Sequence, residues 1–326
     1  MRRFIAGLLF TTASLALLFR VIDWSTTVAV LRGADWKFIA LAVSCLIVSL
    51  IAKTLRWRLL LPSDSQVTTP RLYRILHISF LLNNVLPARL GDVARITMTT
   101  KQPGLRFGHV LSSMLTERAT DSLTLIACFV LVSPFLPVPN DYLPWLHGAW
   151  AGLATLSAIV VLAVALRRRL GRALSRVTIG RRFPGSQRLH EEASSFHEGL
   201  HQLVSRDHVF SIWGWSWAAW LGAFAINYLL MRALAIQAPM AVAVLLTCTT
   251  NLAMLLPSSP GYVGVFHAAA TLSLIPFGVG SAQAFGFAIL AHLVNVLPVS
   301  VLGAAFLLWG RESLNLRRAT VRTQQV

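Results

Sequence analysis

Glu117, Arg118 and Asp121 place three ionisable side chains inside 109–133, a stretch that is otherwise apolar. At helical spacing Glu117 and Asp121 share a face, and Arg118 stands one turn before Asp121. An ionised group at the centre of a membrane helix costs about 2.5–3.5 kcal/mol on insertion scales, so such residues mark a pathway or a binding site by default. Two arrangements fit. Either the cluster faces a polar cavity, for headgroup recognition or proton coupling, or it is a closed ion network tying this helix to Arg89 or Arg95. His292 and Asn295 lie in the corresponding apolar segment near the end of the chain. That histidine titrates near neutral pH if it meets the cavity, and is otherwise a hydrogen-bonded packing residue.

A second set of residues surrounds two breaks in apolar segments. One reads Leu86-Pro87-Ala88-Arg89-Leu90-Gly91-Asp92-Val93, the other Leu256-Pro257-Ser258-Ser259-Pro260-Gly261-Tyr262-Val263. Leu, Pro, Gly and Val recur in register, Pro87 to Pro257 being 170 residues apart. Pro87 and Pro257 remove a backbone donor and stop an incoming half-helix, while Gly91 and Gly261 allow tight turns. Asp92, or Ser259 followed by Pro260, suits the start of an outgoing half-helix, whose free N–H groups attract phosphate. Backbone broken at membrane depth must be buried in protein or line a wet cavity. Asn83, Asn84 and Asn251 are neutral donors and acceptors for that space, or amides that tie helices together.

His197-Glu198-Gly199-Leu200-His201 matches the HExxH zinc pattern. A Gly inside the helix and the lack of a third ligand make a chance match the better reading. Residues 190–204 read instead as an amphipathic helix, with Phe196, Leu200 and Leu203 on one face. We expect no metal, no cofactor and no catalytic residue, and no nucleotide-binding motif is present.

The elements that position these residues follow from composition. The chain has 326 residues, 56% hydrophobic and 13% charged, with a mean hydropathy of +0.66. Soluble domains carry about 25% charged residues, so a water-soluble enzyme or a disordered chain is excluded. Apolar stretches at 4–19, 36–52, 109–133, 146–166, 211–231 and 283–309 approach the ~20 residues that span a bilayer. The first, behind Arg2 and Arg3, reads as an uncleaved helix rather than a signal peptide. The net charge of +17 is a topology signal. Basic residues crowd 53–74, 89–106, 167–206 and the tail 311–326, whereas Arg20, Arg32, Lys37 and Arg232 stand alone on the other side. The positive-inside rule then puts both termini in the cytoplasm and removes the need for a nucleic-acid partner. Cys45, Cys128 and Cys248 all fall in apolar segments and read as packing residues.

These charges balance only if 75–106 and 240–276 dip into the membrane and return. The expected fold is an all-α polytopic membrane protein of about six full transmembrane helices and two re-entrant hairpins. It forms one integral domain of two inverted halves, about 1–140 and 141–312, with a basic cytoplasmic loop at 167–208. Two ordinary kinked helices are the alternative. Paired interrupted segments in inverted halves point to a transporter site near the midplane.

Asn83-Asn84-x-Leu86-Pro87-x-Arg89-x-Gly91-Asp92-x-x-Arg95, Glu117-Arg118-x-x-Asp121 and Asn251 followed by Leu256-Pro257-x-x-Pro260-Gly261-x-x-Gly264 occur in that order. This combination resembles the flippase-like family typified by the transmembrane region of lysylphosphatidylglycerol synthases, over nearly the whole chain. Asp92 and His267 stand where the resemblance leads one to expect Glu. The synthases carry a large soluble transfer domain, and only a short basic tail follows Trp309 here. The resemblance therefore implies translocation alone, of an anionic or aminoacylated phospholipid or a polyprenyl-phosphate-linked lipid, across an inner membrane. The implied site comprises Asn83, Asn84, Arg89, Asp92, Arg95, Glu117, Arg118, Asp121, Asn251, Ser258, Ser259, Gly261 and His292. The implied partners are lipids with phosphate-bearing headgroups and a synthase or transferase. A lipid-modifying membrane enzyme and a non-transporting scaffold are the rival readings.

Overall fold

The computed structural model describes residues 24–86, 89–136, 206–254 and 260–309, with isolated helical positions between 144 and 158. The apolar stretch 4–19, the 167–208 loop up to Ser205 with its HExxH match, Pro87, Pro257, Ser258, Ser259 and the tail lie outside the described residues. All regular structure among the described residues is helical: α1 (Trp24–Arg32), α2 (Trp36–Leu59), α3 (Thr69–Val85), α4 (Leu90–Thr99), α5 (Phe107–Val132), α6 (Arg206–Ala233), α7 (Met240–Ala253), α8 (Val265–Leu274) and α9 (Ser281–Trp309).

Four stretches among the described residues are long and apolar enough to cross a membrane: Trp36–Leu59, Phe107–Phe135, Val209–Ala233 and Ser281–Trp309. At 1.5 Å per residue the 24 residues of α2 reach about 36 Å, beyond the ~30 Å of a hydrocarbon core. The arms α3, α4, α7 and α8 hold 17, 10, 14 and 10 residues, and none is long enough to span upright. Helix α1 was not foreshadowed by any apolar run. Helix α2 extends well past residue 52, because no helix breaker intervenes before Pro62.

The elements recur in order. Helices α2, α3, α4 and α5 begin at 36, 69, 90 and 107, and α6, α7, α8 and α9 at 206, 240, 265 and 281, offsets of 170 to 175. The corresponding helices α2 and α6 are packed antiparallel. The Asp35 N–H donates to the Ala233 carbonyl, Gly222 faces Ser49 and Cys45, and Arg56 bonds Ser216. Gly222 makes this close approach possible, since a β-carbon there would land on Ser49 Oγ.

Each short-armed pair starts and finishes at one end of the molecule, and the two pairs use opposite ends. Gly104, after α4, packs against Ser65, before α3. At the other end Gln283, after α8, donates to the Leu234 carbonyl, before α7, over 2.8 Å. The first arm of each pair packs on the last helix of the opposite half. Gly303 of α9 lies against the His77 carbonyl of α3, and Cys248 of α7 reaches the Leu125 carbonyl of α5.

Candidate functional site

The tips of the two hairpins meet inside the helical bundle. Arg89 adopts a left-handed conformation, φ 55°, as the cap before α4. Its Nη2 donates to the Met254 carbonyl over 2.7 Å, and its guanidinium lies 5.6 Å from the centre of the Tyr262 ring. Gly261, at φ 68°, brings the second tip against the Asn84 carbonyl; a β-carbon there would stand 3.3 Å from it. The first outgoing arm begins earlier than the sequence indicates and the second later. Asp92 sits within the first turn of α4 rather than capping it, and α8 starts at Val265 behind Gly264, so Pro260 belongs to a separate short turn. The Gly264 N–H donates to His267 Nδ1 over 3.4 Å. The start of α8 therefore already holds a side chain of its own, His267, and the first turn of α4 carries the carboxylate of Asp92.

The carboxylates of α5 form a closed network. Glu117 is held by Arg95 through both guanidinium nitrogens, at 2.6 and 3.3 Å, and by Arg56 at 3.8 Å. Asp121 accepts from Arg56 Nη1 at 2.6 Å and from Trp220 Nε1 at 3.0 Å. Arg56 is fully buried and also bonds Ser216. Arg95 stacks 3.7 Å over the Trp57 ring. Arg118 turns away from this network: 58% exposed, it pairs with Asp92 at 3.3 Å, and Asp92 accepts from Asn83 at 3.0 Å. The sequence reading paired Arg118 with Asp121. The structure gives that place to Arg56, because Arg118 lies on the side of α5 that faces α4. Arg89, the other arginine considered for the carboxylates, holds the hairpin tips.

A cavity of about 230 Å³ lies beside the network, where the tips, α2, α6 and α9 converge. Its polar wall includes Lys53, Asn84, Asn227, Asn251, His292 and Asn295, and Trp220 and Tyr262 add aromatic faces. Among the described residues Lys53 is the one charged side chain in that wall. Its amine stands 5.5 Å over the Trp220 ring, with no carboxylate of the described residues at ion-pair distance. His292 stacks on His267, ring centres 4.8 Å apart, and shields that buried imidazole from the cavity. The structure thus divides the implied site. Asn84, Asn251, Gly261 and His292 line the cavity; Asn83, Asp92, Arg95, Glu117, Arg118 and Asp121 build the neighbouring polar network; Arg89 closes the tips. No group of three or more metal-ligating side chains occurs among the described residues.

The residues missed from sequence are Lys53, Arg56, Ser216, Trp220 and Asn227. Lys53 and Arg56 looked like charges in a cytoplasmic loop after the apolar run 36–52. Their spacing of three, with no intervening breaker, was the available signal that the helix continues and carries both on one side.

Residues 4–303 match the model of the lysylphosphatidylglycerol synthase TM region. The chain belongs to that family. Among curated relatives, a glycosyltransferase AglD of Haloferax volcanii is 27% identical over 348 residues, covering 97% of this chain and 55% of the relative. This family member therefore spans about half the length of that protein. A UPF0104 membrane protein of Methanothermobacter thermautotrophicus is 25% identical over 311 residues and is covered to 91%, as is this chain.

Proposed function

We propose that this protein moves a lipid between the leaflets of a cell's inner membrane, with the cavity at the hairpin tips as the chamber for the headgroup. The observation that carries the reading is the polar cavity where two interrupted helices meet, each entering from an opposite end of the molecule. In a bilayer these pairs are re-entrant hairpins in inverted halves, and their tips lie near the midplane, where alternating access needs a site. The cavity volume, about 230 Å³, is below the roughly 300–1,000 Å³ of pockets that enclose whole small molecules. Only a headgroup enters; the tails stay in the surrounding lipid. Arg56, Arg95, Glu117 and Asp121 act as the scaffold of the chamber wall rather than as its ligands, because each is already ion-paired with another.

The reading assigns no catalytic residue and no metal to the chain, and takes both termini as cytoplasmic from the distribution of basic residues. The test is reconstitution in liposomes with a fluorescent phospholipid in both leaflets, followed by addition of a membrane-impermeant quencher. Translocation predicts that the protected fraction falls with time in proportion to protein and that the lipid is recovered unmodified. A protected fraction that stays at one half refutes it. The name of the archaeal relative favours one second reading, a membrane component that serves glycosyl transfer on a lipid carrier. That reading predicts chemical conversion, or stimulation of a partner transferase, without leaflet exchange.

A further inference from the structure

The side chains of the cavity wall specify more than a lipid of some kind. Asn84, Asn227 and Asn251 each spend one amide N–H on the protein, donating to Ser300 Oγ at 3.0 Å, Thr247 Oγ1 at 2.8 Å and the Thr247 carbonyl at 2.8 Å. Each amide keeps its side-chain oxygen and a second N–H for whatever fills the cavity. Three such groups form a wall of paired donors and acceptors, which suits hydroxyl groups. Trp220 and Tyr262 add flat apolar surfaces of the type that pack against a sugar ring or a glycerol backbone.

Charge is distributed as unevenly. The buried cluster contains Lys53, Arg56 and Arg95 against Glu117 and Asp121, three cations for two anions. Arg56 and Arg95 hold the two carboxylates directly, so the unmatched positive charge is Lys53, and Lys53 is the one facing the cavity. Arg89 at the tips likewise has no carboxylate partner among the described residues. No carboxylate lines the cavity among the described residues, and the sequence at 255–259 is Leu, Leu, Pro, Ser and Ser. An ammonium group placed there would meet a lysine and find no counter-ion.

Resting on the reading of this cavity as a headgroup chamber, we propose that it takes a phosphate ester of a polyol, with Lys53 on the phosphate and Asn84, Asn227 and Asn251 on the hydroxyl groups, and that it selects against aminoacylated headgroups. The phosphate stands at the ammonium of Lys53, and the hydroxyl-bearing part extends over Trp220 toward α7 and α9. A lipid headgroup and a soluble sugar or glycerol phosphate share this chemistry.

The experiment is calorimetric titration of the full chain, purified in a non-ionic detergent, with dioctanoyl-phosphatidylglycerol, its lysyl ester, dioctanoylglycerol and glycerol 1-phosphate. Phosphatidylglycerol is expected to bind saturably, the lysyl ester at least tenfold more weakly, and dioctanoylglycerol not at all. Equal affinity for glycerol 1-phosphate identifies the ligand as a soluble ester; a large gain from the acyl chains identifies a lipid. Lys53→Gln should weaken phosphatidylglycerol binding about 10- to 100-fold, the loss of one charge-assisted hydrogen bond, and Lys53→Arg should keep it within a few-fold. Lys101→Gln, at an exposed position between α4 and α5, controls for general charge. Unchanged binding by a Lys53→Gln protein that melts like the parent overturns the proposal. Should that variant fail to fold, tighter binding of the lysyl ester than of phosphatidylglycerol by the parent overturns it equally. Lys53-dependent binding without leaflet exchange refutes translocation and leaves this assignment standing. Leaflet exchange indifferent to Lys53→Gln does the reverse.

Discussion

The sequence sets Arg118 beside Glu117 and Asp121, whereas the structure gives Asp121 to Arg56 and turns Arg118 toward Asp92, so removal of the two arginines should differ sharply. Arg56 is fully buried, bonds Asp121 at 2.6 Å and Ser216 at 3.0 Å, and stands 3.8 Å from Glu117. Arg56→Gln leaves Asp121 with only the Trp220 N–H and Glu117 with only Arg95. Breaking one side of a buried pair strands a charge in a low-dielectric interior and costs about 3–5 kcal/mol. Arg118 is 58% exposed and meets Asp92 at 3.3 Å, a pair of the kind that contributes ~0–1 kcal/mol. Thermal unfolding in detergent, read by tryptophan fluorescence and by the monodisperse fraction after heating, compares the two variants. Arg56→Gln should melt far below the parent or fail to accumulate, while Arg118→Gln should melt within a few degrees of it. Adding Asp121→Asn to Arg56→Gln removes the stranded charge and should recover part of the loss; added to Arg118→Gln it should recover nothing. Equal melting of the two single variants, or rescue of the Arg118 variant alone, would refute the assignment of Arg56 as the partner of Asp121.

Three further outcomes are expected. Gly91→Ala should destabilise by about 1–3 kcal/mol in the same assay, since its β-carbon would land on the Ser79 carbonyl oxygen between α3 and α4, whereas Gly214→Ala, with nothing within 4 Å, should be neutral. In a cysteine-free background, single cysteines at the exposed Asp64 and Lys101 positions should label from the same, cytoplasmic side with an impermeant maleimide; labelling from opposite sides would make α3–α4 a complete crossing. His197→Ala with His201→Ala should leave leaflet exchange intact, and zinc analysis of the purified parent should find no stoichiometric metal.

Hydropathy and charge spacing alone determined the class, four of the long helices and the positions of both interrupted segments. These properties are local: ~20 apolar residues need a bilayer, and Pro and Gly break a helix wherever they stand. The recurring order of elements follows the same offset, as Pro87 and Pro257 are 170 residues apart in the sequence and so are the starts of α2 and α6. The clustering of Glu117 and Asp121 on one face was equally local, since it depends only on helical periodicity.

The partners of those residues were decided by tertiary structure. Which of the nearby arginines holds Asp121 depends on the antiparallel packing of α2 on α6 and on the side of α5 turned toward them. Neither leaves a mark in the order of residues along the chain. Lys53 and Arg56 have the same sequence signature, basic residues one turn apart at the end of an apolar run. One is buried against Asp121 and the other borders the cavity, because three residues of helix rotate a side chain by about 60° less than a full turn. The half-helix starts likewise looked open to phosphate, and the fold commits the Gly264 N–H to His267 and sets the Asp92 carboxylate in the first turn of α4. Charge type is written in the sequence; whether a charge is spent on the protein or left for a ligand is set by what the fold places within about 3 Å of it.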